Sequence, residues 1–312
     1  MSLLLFPILV SLLQSSVSIK VVVFLPGTTS FERKTLDLVA QQLAFRYHET
    51  MTFKAVLIPE ERYLVKHRLH DVRELALKDL LPKNLYQPIE YMGATVPWYE
   101  DYDTVEYAKP FWNGYTHACQ SVLDSDLMEK IQEAQYDVAL VHSGNPCHLA
   151  IAHAVSLPFI YFDLSGFSDE ISVAAGLPFA AASIPSSHST FTQDMNWRQR
   201  LENAWLWLQE YAAFSDLAPI SNALSARHRL MDGPISEKFR NDYELKRKFA
   251  NFPNVNQIKK TAELFFVNSD PVLEFSNRPV TSNIVYVGGL NVEPAKELYE
   301  AGLTYFLTGF ET

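Results

Sequence analysis

The chain has 312 residues, 48% hydrophobic and 20% charged, enough for one large or two small domains around a real core and too apolar for a disordered chain. Its net charge is −10, and no Lys/Arg block stands out. Long-range steering of polyanions is thereby excluded, and nucleic acid is not expected as a partner. Aromatic residues reach 13%, which suits either a thick aromatic core or a lipophilic pocket.

Residues 1–18 read as a secretory signal peptide. The uncharged run LLLFPILVSLL is too short to span a bilayer, and Ser16 and Ser18 are small residues just before a cut at Ile19. No second hydrophobic span follows, so no membrane anchor is expected in this chain. An oxidising compartment would let Cys119 and Cys147 pair, although two separate buried thiols fit equally well.

Residues 20–26 (KVVVFLP) form a β-branched run that predicts a strand, followed by a polar turn at 27–30. Leu36, Val39, Ala40, Leu43 and Ala44 then recur at helical spacing. Strand, polar turn and amphipathic helix open a doubly wound α/β domain. A second strand is predicted at 53–59 (FKAVLIP), and the Pro-punctuated stretch 60–103 reads as short helices and a long loop. Residues 103–123 carry an aromatic helical face of Tyr107, Phe111 and Tyr115, with Pro110 starting or kinking the helix. A short helix at 126–134 takes Asp126 as its cap.

The clearest βαβ unit comes next: strand 136–141, turn 142–146, apolar helix 147–155 and strand 159–164. Apolar runs with little alternation suit parallel strands covered on both faces. A loop is predicted at 176–189, then a helix at 197–214 with Leu201, Trp205, Leu208 and Ala212 on one face. Further helical pieces are expected at 217–230 and 242–249, and the last strands at 263–267 and 284–287. The histidines show no metal-ligand spacing, no Gly-X-Gly-X-X-Gly follows the first strand, and Ser143 lacks a nucleophile-elbow frame.

Four stretches resemble the UDP-glucuronosyltransferases. They are 261–296 (TAELFFVNSDPVLEFSNRPVTSNIVYVGGLNVEPAK), 126–147 (DLMEKIQEAQYDVALVHSGNPC), 176–204 with its Met-X-X-X-X-Arg-X-X-Asn pattern, and the signal run followed at once by KVVVF. The resemblance implies the N-terminal, acceptor-binding half of a GT-B enzyme, in a divergent, invertebrate-like member. Residues 19–290 would form a Rossmann-like parallel sheet with helices on both faces, and 291–312 a tail or truncated interdomain linker. It also implies a UDP-sugar, UDP-glucuronate or UDP-glucose, as co-substrate of the full-length protein, with no cofactor or metal bound by this chain. A small lipophilic acceptor, oligomerisation with full-length relatives, and residence in the lumen or membrane of the endoplasmic reticulum follow by the same analogy.

In that family a His held by an Asp is the base for sugar transfer, each at a C-terminal strand end. Here the two positions fall on Ser30 and His142, so both members are substituted. A serine hydroxyl is a poor base at neutral pH, and as a helix cap Ser30 has a simpler role. His142 could act as a relocated base or be a polar residue at a strand end. Asp163 could orient an acceptor hydroxyl or cap the following turn. Phe31, Phe111, Tyr115, Phe162 and Phe179 are candidates to line the acceptor pocket, each with the alternative of serving the core. The lost dyad supports a second reading, a non-catalytic module that binds lipophiles or a partner.

Overall fold

The computed structural model describes residues 18–26, 30–57, 72–95, 104–178, 180–215, 217–275, 277–290 and 292. All but Ser18 of the predicted signal peptide, and nearly all of the predicted 291–312 tail, therefore lie outside the described residues. So do Phe179 and the side chains of Ser30 and Phe31.

Seven parallel strands form one sheet in the order β3-β2-β1-β4-β5-β6-β7. β1 (Lys20–Leu25) is central, and its residues 21–25 are buried. Alternate side chains serve opposite faces. Val22 and Phe24 join the larger core, while Val21, Val23 and Leu25 meet Leu36 and Ala40 of α1 (Ser30–Phe45). A strand covered on both faces needs apolar residues at every position, which is why KVVVFL alternates so little.

β2 (Glu49–Ala55) begins earlier and ends earlier than the predicted 53–59. The shift arises because Thr50, Thr52 and Lys54 are polar, yet all three are buried in the ladder. Thr52 donates to the Arg73 carbonyl at 3.3 Å, and Lys54 pairs with Glu74 at 3.4 Å. Their partners belong to β3 (Arg73–Leu77), an edge strand in the stretch expected to be loop and short helices. Its half-exposed RELAL pattern carries too little hydrophobic signal to be read alone.

α2 (Lys83–Thr95) and α3 (Thr104–Leu123) follow, and Pro110 sits inside α3 rather than at its start. α4 (Leu127–Ala134) has Asp126 at its N-cap position, but the carboxylate makes no capping bond. It pairs with Lys130 at 2.7 Å instead, so the predicted cap is corrected to an i,i+4 ion pair. β4 (Val138–His142), α5 (Pro146–Ala154) and β5 (Phe159–Asp163) form the expected βαβ unit. α5 starts under Asn145, whose side chain accepts from the Cys147 amide at 3.1 Å. Cys119 and Cys147 are disulfide-bonded, with their Cα atoms 5.7 Å apart.

α6 (Asp169–Ala174) was not foreseen. Ser168 caps it by accepting from the Ile171 amide, with Asp169 and Glu170 in its first turn. α7 (Trp197–Ala213) corrects the predicted face. Asn203, Trp207, Ala212 and Ala213 are buried, whereas Leu201 is 67% and Trp205 50% exposed. α8 (Ala218–Leu224), a π-helical turn (His228–Asp232), α9 (Gly233–Asn241), α10 (Tyr243–Lys248) and α11 (Val255–Lys259) lead to β6 (Leu264–Val267) and β7 (Ile284–Tyr286). Helices thus cover both faces of the sheet, as predicted for a doubly wound fold. Among the described residues no helix is long and apolar enough to cross a membrane.

Candidate functional site

The strand order reverses between β1 and β4, which pair directly. Chains leaving these two strands diverge to opposite sides of the sheet, and the crevice between them is where open α/β sheets place ligands. Ser30 opens α1 just after β1, and His142 is the last residue of β4. Ser30 and His142 therefore both border that crevice.

His142 is buried and pairs in register with Phe162 of β5. Two residues after Leu140, it shares the α1 face of the sheet. Its Nδ1 accepts the Gly144 amide at 3.0 Å. Gly144 is required there, since a Cβ would stand 2.9 Å from Nδ1 and Cε1 of the ring. Asp163 ends β5, and its two oxygens accept from the Ser165 amide at 2.9 Å and the Ser168 hydroxyl at 2.6 Å. Burial pushes its carboxyl up, opposed by those two hydrogen bonds. Asp163 thus fastens the loop from β5 into α6.

Phe162 is buried between β4 and β6, with its ring edge-on to Phe266. Phe111 and Tyr115 lie on α3, about two turns and one turn before Cys119. Tyr115 is 6% exposed and belongs to the larger core, and Phe111 packs half-buried against it. The disulfide ties their helix to the start of α5, immediately after the His142 turn. His142, Phe162 and Asp163 are thus brought together at adjacent strand ends, while Phe111 and Tyr115 approach from the other face.

Beneath the turn lies a buried ionic cluster that was not foreseen. Glu170 accepts from the Tyr161 hydroxyl and from Arg227, and pairs with Lys259 at 2.8 Å. Burial would raise its carboxyl, but the Arg227 and Lys259 charges outweigh that and hold it at about 2. Arg227 Nη2 also donates to the Ser143 carbonyl at 3.2 Å, and the Tyr161 hydroxyl oxygen lies 3.3 Å from the same carbonyl. His148 packs against Phe24 and Phe53, and burial above all lowers it to about 3, so it is neutral. The one sequence signal for the cluster was Ser168-Asp169-Glu170, a capped helix start. Nothing local marks Arg227 or Lys259 as its partners.

The Arg200-to-Asn203 motif also finds its reason here. Arg200 Nε donates to the Met195 carbonyl at 3.0 Å. Asn203 accepts from the Ser186 amide at 2.6 Å and donates to the Ala181 and Ile184 carbonyls, each at 2.8 Å. Asp169 holds the same loop by accepting from the Ser186 hydroxyl and the Ser187 amide. These residues shape the loop.

A reversed parallel sheet with polar groups at its switch point defines a doubly wound, ligand-binding α/β domain. The chain belongs to the family described as "UDP-glucoronosyl and UDP-glucosyl transferase", whose profile matches residues 72–307. It is 27% identical over 279 residues to UDP-glucuronosyltransferase 2C1 of Oryctolagus cuniculus, covering 85% of this chain and 50% of that protein. It is 30% identical over 188 residues to UDP-glucuronosyltransferase 2B7 of Rattus norvegicus, covering 58% and 31%. Among solved structures it resembles Phytolacca americana UGT2 complexed with UDP-2fluoro-glucose and pterostilbene. That likeness has 11% identity and a TM-score of 0.43, covering 83% of this chain and 50% of the other. The kitacinnamycin glycotransferase gives 11% identity and a TM-score of 0.46, covering 86% and 50%. The chain spans about half the length of the curated relatives first matched. The family read from the four sequence stretches is thereby borne out.

Proposed function

We propose that this chain is the acceptor-binding half of a UDP-glycosyltransferase. It would hold a small lipophilic acceptor at the C-terminal edge of its sheet while a UDP-sugar, UDP-glucuronate or UDP-glucose, binds elsewhere in the full protein. The observation carrying this reading is that Ser30 and His142 border one crevice at the switch point; we assign the family's two catalytic positions to them. Phe31, Phe111, Tyr115, Phe162 and Phe179 would supply apolar walls, with Asp163 setting the loop behind them. The Cys119–Cys147 bond supports folding in an oxidising lumen such as the endoplasmic reticulum. Pairing with full-length relatives would be one way to complete the site.

A second reading, a module that binds lipophiles without transferring sugar, is favoured by the occupied Nδ1 of His142. One experiment addresses both. The full chain, alone and joined to a family donor half, is titrated with a panel of phenols and assayed for sugar transfer from UDP-glucuronate and UDP-glucose. Saturable binding with turnover in the joined form supports the enzyme half, and saturable binding without turnover supports the module. Absence of binding across the panel refutes both.

A further inference from the structure

We propose that His142 is locked in the Nε2–H tautomer and serves the crevice as a hydrogen-bond donor to an oxygen of the bound acceptor, not as the base that removes its proton. The donor role rests on the acceptor-binding reading above; the tautomer does not.

A backbone amide can only donate. The Gly144 N–H at 3.0 Å therefore requires a lone pair on Nδ1. In the uncharged ring the single proton then sits on Nε2. A base acting through Nε2 needs its lone pair there, and this turn has assigned it to the other nitrogen. Flipping the ring would set a carbon against the amide and lose the bond.

The amide is held in place from several sides. The Ser143 amide donates to the Phe162 carbonyl at 2.9 Å, and the Asn145 amide closes the turn on the His142 carbonyl at 3.3 Å. Arg227 donates to the Ser143 carbonyl, the Tyr161 hydroxyl lies 3.3 Å from it, and Glu170 accepts from both side chains. Downstream, Asn145 caps α5, and Cys147 in its first turn is bonded to Cys119. Tyr161, Glu170 and Arg227 are accordingly positioning residues for the His142 ring. A fixed N–H at this strand end suits a carbonyl, carboxylate or phenolate oxygen, or a hydroxyl acting as acceptor.

The test begins with the full chain labelled with 15N. Long-range imidazole spectra at a pH where the ring is uncharged should show His142 Nδ1 unprotonated and Nε2 protonated, the signal being assigned by its loss in His142→Gln. An Nδ1–H ring overturns the tautomer and leaves the acceptor reading standing. Arg227→Met should restore tautomer exchange if the network positions the turn; an unchanged spectrum in a folded variant removes that role. The second arm titrates 4-nitrophenol into the wild type, His142→Gln and His142→Leu, each checked for folding by its melting transition. The Gln amide can donate but cannot act as a base. Affinity should stay within about twofold in His142→Gln and fall about five- to tenfold in His142→Leu, the worth of one hydrogen bond. Equal losses in both variants overturn the donor role. A chain with the Nε2–H tautomer that binds no phenol removes the acceptor reading and the donor role together.

Discussion

Glu170 is 5% exposed yet takes hydrogen bonds or ion pairs from Tyr161, Arg227 and Lys259. Its carboxyl sits at about 2 when folded, below the ordinary 4.5. A depressed acid stabilises the fold above its unfolded value, and that contribution is lost as the pH falls from about 4.5 toward about 2. The difference is worth roughly 3 kcal/mol at neutral pH. Glu170→Gln should therefore lower stability by about that amount at pH 7, and the gap should close as urea unfolding is repeated at falling pH. A gap that stays constant down to pH 2 would contradict the assignment. At this scale the sequence offered chemistry without pairing. The placement of His142 and Asp163 at strand ends was legible because strand ends can be read locally. Arg227 and Lys259 were not, because their meaning depends on a carboxylate 57 residues away in one case and on a separate helix in the other.

α7 shows how a correct helix can be turned the wrong way. Hydrophobic spacing set Leu201, Trp205, Leu208 and Ala212 on one face, but of these the fold buries only Ala212, alongside Trp207 and Asn203. The reason is polar: Asn203 satisfies three backbone groups of the 181–186 loop, and that demand sets the helix rotation. Two paired predictions follow. Trp207→Ala should cost roughly 3–5 kcal/mol through a core cavity. Trp205→Ser should change stability by less than about 1 kcal/mol. Chemical denaturation of both variants decides the orientation, and comparable losses would refute it. β3 failed in sequence for a related reason. Its register with β2 depends on Thr52 and Lys54, polar residues that look like the end of a strand until their partners are present.

Across the whole molecule, the Cys119–Cys147 bond joins α3 to the start of α5, just after the turn that follows His142, over a separation of 28 residues. Closing a loop of that length stabilises a fold by roughly 3–4 kcal/mol. The double variant Cys119→Ala/Cys147→Ala should lose about that much, read from the urea midpoint. The oxidised wild type, unfolded and treated with a thiol reagent, should show no free thiol. Two reactive thiols would remove the bond, and with it the support for an oxidising compartment.

By itself the sequence determined the doubly wound class, the family, and the strand ends that border the switch point. Strands buried on both faces must be apolar throughout, and such runs are visible in one dimension. Tertiary structure alone decided which thiols, charges and helix faces meet, and which backbone amide faces Nδ1 of His142. Those are relations between residues far apart in the chain, set by where backbone donors and buried charges come to rest when the sheet closes.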